Sequence, residues 1–496
     1  ISNYIFNSTT APMAGMVLCA NCRNVTIKDL NLSHKNAAGV YFFNTTNSKV
    51  MNITANSNYN GLILSVNSNN NTLTNIISNN NSNIGISSLR SSNNTFTNII
   101  SNNNSYVGIF VDNSSDNRLN NITANSNKNG VILSVSSNNN TLTNIISNNN
   151  SYNGIIINSI SKNNQLLSIT VNSNSYQGFV FGESSDNTLT NITANSNSNG
   201  IFLYSSSNNR LNNINVNSNS VNGIYLQESS NNNTLTNITA NSNSGSGIYV
   251  LESSNNIFTS GYVNQSSNYG VWLRSAGFFV ASNNVFKDMW INNTASSVYV
   301  RTSSTGGNVM NNTFLNVSYS DVEGSSLSIG LMELIRKWYY QANVTSNNVP
   351  VSGANLSAYN RTNGWQFNLT SNPSGFTNIT TIIDYINNGT RNYYSNYTIN
   401  TSAQGYAAES HKLNVTLASN NSGTGKFSGL IFENISLSWI IDTTAPNINF
   451  TNPTPANGSV ISNNFIPINV TANDTQSFIS TFIDFNRSLV GWWRMD

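Results

Sequence analysis

Charge is scarce in this chain. Of 496 residues, 8% are Asp, Glu, Lys or Arg, and the formal net charge is +2. No nucleic-acid partner is expected, because neutralising phosphates takes clustered Lys and Arg, and no basic stretch occurs. The two histidines, His34 and His411, are too few and too far apart for a His-based metal site or a catalytic triad. Chemistry on carboxylates stays open. No run of 18 apolar residues is present, so no membrane span is expected. The chain starts at Ile1 without a signal-like segment and reads as a mature or trimmed product, its export inferred from other features. What is abundant is asparagine, with 105 residues, about a fifth of the total. A hydrophobic content of 38%, with 10% aromatics, is too high for a disordered polar chain and lets sizeable cores be buried. The length suggests two to four domains.

Glycines recur at Gly15, Gly39, Gly61, Gly85, Gly108, Gly130, Gly154, Gly178, Gly200, Gly223, Gly247 and Gly270, at spacings of 22 to 24 residues. Around each lies the same text: a polar N-S-N stretch, the glycine, an apolar triplet, a Ser/Asn turn, then Leu or Phe before an N-I or N-I-T segment. Asn187-Thr-Leu-Thr-Asn-Ile-Thr-Ala-Asn-Ser-Asn-Ser-Asn-Gly-Ile-Phe-Leu203 shows it whole. The irregular period excludes coiled coils, and short β-branched runs between turn residues exclude helical repeats. Strands this short cannot form a sheet within one repeat, but they can pair with the same strand of the next coil and build a solenoid. Asparagine suits the turns because it tolerates the left-handed backbone region. Stacked at about 4.8 Å, equivalent side chains can form ladders, with the pairs Asn93-Asn94, Asn163-Asn164, Asn208-Asn209 and Asn255-Asn256 as the best candidates. An irregular coil, Ser297-Val-Tyr-Val300, follows an insertion at Gly277-Phe-Phe-Val280. About 13 coils give a rod of roughly 60 Å.

On these repeats, the segment from Gly15 to about Ser325 resembles the right-handed parallel β-helix repeats of the NosD-like (PbH1) type, common in extracellular proteins of archaea and bacteria. The resemblance implies an all-β fold, a right-handed parallel β-helix of about 13 coils followed by β-sandwich domains. It is specific for fold and not for function, since lyases, tailspikes, copper-delivery proteins and surface scaffolds share it. Copper delivery would need more His, Met and Cys ligands than the helix offers. Beyond Leu327 the text changes. Trp338-Tyr-Tyr-Gln-Ala-Asn-Val-Thr and Val349-Pro-Val-Ser-Gly-Ala-Asn-Leu-Ser-Ala-Tyr359 resemble the opening of carboxypeptidase-regulatory-like (transthyretin-like) β-sandwiches, with Tyr397-Thr-Ile and Gly405-Tyr-Ala as later strands. Asp442-Thr-Thr-Ala-Pro446 reads as a linker into an Ig-like β-domain. Ser488-Leu-Val-Gly-Trp-Trp-Arg-Met-Asp496 is similar to the first strand of a concanavalin-like lectin domain, and the natural protein is expected to continue past it. The expected division is 1–325 β-helix, 326–441 β-sandwich and 442–496 an incomplete Ig-like domain.

Five residues after the glycines stand Val66, Arg90, Asn113, Val135, Ser159, Glu183, Ser205, Glu228, Glu252 and Ser275. Glu228 and Glu252 fall on adjacent coils about 5 Å apart, near the separation of a retaining glycosidase pair, and are a weak Ca²⁺ candidate. The plainer reading is two carboxylates capping exposed turns. No catalytic residue and no other cofactor is assigned, and the chain is read as not an enzyme. Cys19-Ala-Asn-Cys22 is a lone C-x-x-C, either a local disulfide or two free thiols. Of 36 Asn-x-Ser/Thr sequons, those in the repeats follow from composition. Those at Asn343, Asn355, Asn360, Asn368, Asn378, Asn388, Asn396, Asn400 and Asn414 are candidate N-glycosylation sites if the chain is exported from an archaeon.

In the triplet after each glycine, the first and third residues are expected to face the core and the middle one outward. That outward column reads Val17, Tyr41, Ile63, Ser87, Phe110, Ile132, Ile156, Val180, Phe202, Tyr225, Tyr249 and Trp272, apolar or aromatic at all but one position. A stripe that long implies a partner surface. The alternatives are cover by the C-terminal sandwich, or β-propensity alone. The sequence therefore points to an extracellular, cell-surface structural protein, a self-assembling subunit of an archaeal surface layer, sheath or filament, glycans being further partners. A carbohydrate-binding adhesin is the alternative, and a polysaccharide lyase or hydrolase the third class.

Overall fold

The computed structural model describes residues 3–11, 13–292, 294–319, 323, 329–416, 429–440, 447–456, 458–460, 462, 467–473, 479–481 and 492–494. Its first two thirds are a parallel β-solenoid. One face is a 13-stranded sheet running from Val17–Ala20 to Ser296–Arg301, each strand hydrogen-bonded to its equivalent in the next coil. The facing sheet stacks the N-I segments in the same way, from Ile5–Phe6 and Thr26–Asn31 to Val309–Ser318. The solenoid matches the expectation from the repeats, and at about 14 turns it is one longer than expected, the facing sheet beginning with Ile5–Phe6 ahead of the first repeat glycine.

The N-I strands do not alternate strictly. In Thr188–Thr193 the buried residues are Leu189 and Ile192, three apart, because Asn191 between them has φ 58°. One left-handed residue re-aims the chain, so both apolar side chains enter the core. Asparagine pays little for that conformation, which is why it recurs there. The glycines serve a different purpose. A Cβ on Gly130 would lie 1.7 Å from Ser147 Oγ and 2.7 Å from the Gly154 carbonyl oxygen. Close approach of the next coil, rather than a turn, excludes a side chain.

The asparagine ladders are observed. Asn140 donates from Nδ2 to Asn164 Oδ1 (3.1 Å) and to the Ser114 carbonyl (3.1 Å), while its backbone N–H donates to the same Asn164 oxygen at 2.8 Å. This buried ladder runs from Asn71 to Asn312 and crosses the insertion at Gly277 through Asn256, Asn284 and Asn312. A second buried ladder runs from Asn58 to Asn243. Apart from the Asn94 Nδ2, which is buried without a partner, the ladder amides are hydrogen-bonded inside the rod.

The solenoid does not end on a free linker. Strand Met332–Ser346 pairs in parallel with Val309–Ser318, then antiparallel with Thr380–Asn387 and parallel with Leu430–Ser436. Its first part, through Met332 and Leu334, belongs to the solenoid core. Its later residues, Trp338, Tyr340, Ala342 and Val344, belong to a second core. Across that core lies a four-stranded antiparallel sheet of Trp365–Thr370, Asn355–Tyr359, Tyr397–Ser402 and Glu409–Leu413. Gly405, expected in a strand, sits at φ +82°. The expected boundaries at 325/326 and 441/442, and the linker Asp442–Pro446, lie outside the described residues. Further on, Asn447–Thr451 pairs antiparallel with Asn469–Asn473, and Ile479–Thr481 with Trp492–Arg494. The rest of Ser488–Asp496 is also outside the described residues.

Candidate functional site

The outward positions of the 13-stranded sheet form one unbroken register column. Leu18, Tyr41, Ile63, Ser87 and Phe110 pair in succession, followed by Ile132, Ile156, Val180, Phe202, Tyr225, Tyr249, Trp272 and Tyr299. Val17 is corrected out of the column. It pairs with Val40 and is 5% exposed, whereas Leu18 is 57% exposed. The first coil carries one residue more between Gly15 and its strand, and a one-residue slip exchanges the two faces. Tyr299, in the irregular coil, extends the column by one rung.

The aromatic half of the column is a stack. Centroid distances are 5.0 Å for Phe202–Tyr225, 4.7 Å for Tyr225–Tyr249 and 4.1 Å for Tyr249–Trp272, with interplanar angles of 29°, 2° and 9°. Ring faces are therefore spent on one another. Leu18 is exposed, Ser87, Ile132 and Tyr249 are buried, and the other members of the column are half-buried. The C-terminal unit joins the solenoid through the sheet on the opposite side, by way of Met332–Ser346.

A polar edge runs beside the aromatic half. Tyr204 pairs with Gln227 and Arg274 with Arg301 at the next register position, the buried Leu251 standing between the two pairs. Glu228 and Glu252 turn the corner beyond them at φ 48° and 53°. The Tyr204 phenol is held above its ordinary value by a hydrogen bond to Glu228, and Gln227 Nε2 donates to Glu228 Oε1 at 3.0 Å. Burial, then the Glu228 charge, raise the Glu252 carboxyl, and Arg274 opposes them. Arg274 also donates to Tyr249 Oη at 3.3 Å and lies 5.6 Å from the Trp272 ring centroid. The corner position itself is structural: Val66, Arg90, Asn113, Val135, Ser159, Glu183 and Ser205 share its positive φ. Among the described residues no group of three or more His, Cys, Asp or Glu side chains is placed to hold a metal.

Cys19 and Cys22 form no disulfide. Both are buried free thiols, the Cys22 thiol lies 3.7 Å from the Ala20 carbonyl, and burial pushes Cys19 up to about 12. The sequon residues Asn355, Asn368, Asn378, Asn388, Asn396 and Asn400 are exposed, while Asn343, Asn360 and Asn414 are half-buried.

Two polar clusters in the C-terminal unit were not legible as such. Glu323, with a fully buried side chain, accepts from Tyr319 Oη (2.5 Å), Asn387 Nδ2 (2.9 Å), Arg391 Nε (2.9 Å) and the Tyr385 hydroxyl. His411 bridges Glu409 on its own strand (3.0 Å) and Glu433 on Leu430–Ser436 (3.0 Å), and Tyr340 Oη donates to Glu433 at 2.6 Å. Burial pulls the His411 value down, but the bonds to Glu433 and Glu409 outweigh it and the net shift is upward. Apart from the local pairs Tyr319–Glu323 and Glu409–His411, the partners in these clusters lie 22 to 93 positions apart, and no local motif announces them.

Comparison with known proteins identifies the solenoid as a right-handed β-helix. The family "Right handed beta helix region" matches residues 178–329, and "Periplasmic copper-binding protein (NosD)" matches 2–153 and 85–191. No curated protein matches the chain significantly. Similar solved structures include the A-module of the Azotobacter vinelandii mannuronan C-5 epimerase AlgE4, 13% identical with TM-score 0.42, covering 66% of this chain and 100% of that one. The periplasmic alginate epimerase AlgG is 13% identical with TM-score 0.35, covering 67% and 84%. A GH87 α-1,3-glucanase catalytic domain is 15% identical with TM-score 0.36, covering 60% and 61%. These show the fold alone. They correct the reading of the chain as not an enzyme in one respect: similar β-helices include epimerases and a glucanase, so the solenoid does not exclude catalysis.

Proposed function

We propose that this right-handed β-helix is exported and serves as a self-assembling structural rod at a cell surface, two copies meeting along the outward column from Leu18 to Tyr299. One observation carries the reading: twelve of those thirteen register positions are apolar or aromatic, over roughly 60 Å of rod. A second copy suits that surface. It offers the same coil rise, so rungs can register with rungs, and a net charge of +2 sets little repulsion against close approach. Stacking spends the ring faces on one another, so the half-buried aromatic strip offers few free ring faces for sugars. Replacing Phe202 and Tyr249 by Ser and Tyr225 by Lys, with Ile63→Lys plus Ile156→Lys as an independent variant, is expected to abolish assembly in sedimentation and negative-stain microscopy. Far-UV circular dichroism should stay unchanged, and unchanged assembly by either folded variant overturns the reading.

A second reading rests on the polar edge of Tyr204, Gln227, Glu228, Glu252 and Arg274. Hydroxyl, amide, carboxylate and guanidinium groups beside aromatic rims are what a carbohydrate polymer requires. Binding on a glycan array, or turnover of a uronate polymer, that is lost in Glu228→Gln would favour this reading over the scaffold.

A further inference from the structure

The solenoid's asparagines differ in their sequons: exposed turn residues such as Asn70, Asn93 and Asn139 open Asn-Asn-Thr sequons in the corners, and the buried ladders contrast with the exposed one on the facing sheet. Eleven stand in the Asn71–Asn312 buried ladder and nine in the Asn58–Asn243 ladder, and none of these twenty begins an Asn-x-Ser/Thr sequon. In the first ladder the second residue on is a core Leu or Phe, which accounts for it. In the second ladder that residue is Asn, Tyr, Val or Gly and never Ser or Thr, although Ser and Thr abound around it.

The left-handed asparagines on the outside of the facing sheet behave differently. Asn52, Asn121, Asn191 and Asn237 are exposed, have φ between 52° and 58°, and each opens an Asn-Ile-Thr sequon. Their ladder neighbours Asn75, Asn98 and Asn213 do not. Consecutive sequons are thus separated by three, three and two coils, which at about 4.8 Å per coil leaves roughly 10–14 Å between attachment points. They also sit on a different sheet from the apolar column.

We propose that Asn52, Asn121, Asn191 and Asn237 carry N-linked glycans, giving the rod a sugar-coated sheet and leaving the column bare. In the transfer, Nδ2 attacks the anomeric carbon of a lipid-phosphate-linked oligosaccharide supplied by the exporting cell. The N–C bond forms, the bond from that carbon to the phosphate oxygen breaks, the lipid phosphate leaves, and Nδ2 gives up one proton. The product amide keeps one N–H, so Asn52 can still donate to Asp29 Oδ1 (2.8 Å) and Asn121 to Asn98 Oδ1 (2.8 Å). The acceptor oxygens are untouched, so the bonds from Asn75 to Asn52 (3.0 Å) and from Asn213 to Asn191 (2.7 Å) persist. A glycan on a buried ladder amide has no such room.

The inference rests on the reading of an exported chain, and one experiment separates the two. The full chain is secreted from an N-glycosylating host and its glycopeptides are mapped by mass spectrometry. Glycans are expected at all four positions, and Thr54→Ala, Thr123→Ala, Thr193→Ala and Thr239→Ala should each remove one glycan mass while keeping the asparagine rung. Thr→Ser at the same positions should retain it. Glycans confined to the segment from Asn343 to Asn414 overturn this proposal and leave export standing. A secreted chain with no glycan at any sequon overturns it too, whereas failure to secrete the folded chain overturns the export reading.

Discussion

Asparagine does three jobs in this protein, and the side-chain environment decides which. In the buried ladders each amide replaces water for a corner of the backbone. Asn140→Leu removes acceptors used by Asn117 Nδ2 (3.1 Å) and the Asn117 backbone N–H (2.9 Å), and it strips the Ser114 carbonyl of its donor. Such groups cost about 1–3 kcal/mol each when left unsatisfied, so for the three of them a loss of roughly 3 kcal/mol or more is expected. Asn98→Gly in the exposed ladder keeps the φ of 54° free of a Cβ penalty, gives up one amide bond in each direction to water, and is expected to cost about 1 kcal/mol or less. Urea denaturation of both variants checks the contrast, and equal losses would sink the distinction between the ladders. The pairs Asn93-Asn94 and Asn163-Asn164 were legible as ladder candidates because turn residues recurred at fixed offsets. That the second asparagine of each pair enters the core and the first takes positive φ became visible only with the coils stacked.

At the scale of the element, the long strand Met332–Ser346 is the hinge of the architecture. It shares its first turns of pairing with the solenoid and its last with the C-terminal unit, and Glu323 clamps the junction through Tyr319, Tyr385 and Arg391. Within that unit His411 ties Glu409–Leu413 to Leu430–Ser436 across the two sheets. A protonated ring donates to Glu409 and Glu433 at once, whereas a neutral ring can donate to one only. Because the folded value is raised above the ordinary 6.5 or so, the stabilisation is full below about pH 6.5 and fades as pH rises through the folded value. The ring is 30% exposed, so solvent screening limits the effect to about 1 kcal/mol or less. Melting of the C-terminal unit at pH 5.5 and 8 should show it as a higher midpoint at pH 5.5, and His411→Gln should flatten the difference. A midpoint that rises with pH would contradict the assignment. Strand alternation could have paired Glu409 with His411, two residues on, but no spacing rule reaches Glu433, which a chain return of 22 residues brings to the same ring.

For the whole molecule, the two functional readings make opposite demands on salt. Contact along the apolar column should strengthen in sodium sulfate, which favours burial of apolar surface. Recognition through Glu228, Glu252 and Arg274 should weaken as ionic strength rises, because exposed charges are screened within about 10 Å at 0.1 M. Sedimentation of the native chain across a sulfate series, beside glycan binding across sodium chloride, distinguishes them. Assembly that dissolves in sulfate would count against the column.

The sequence alone determined the solenoid, its coil number to within one and the identity of most residues of the middle column, because a parallel β-helix repeats every coil and its pattern is local. Only the tertiary structure decided the face of the first strand, where one extra residue after Gly15 put Leu18 outside in place of Val17. It alone decided that Cys19 and Cys22 stay apart, that one strand joins the two cores, and that Glu323 and His411 gather partners from distant strands. Register and long-range closure depend on how coils and sheets pack, and these are set by contacts between residues that no period in the sequence relates.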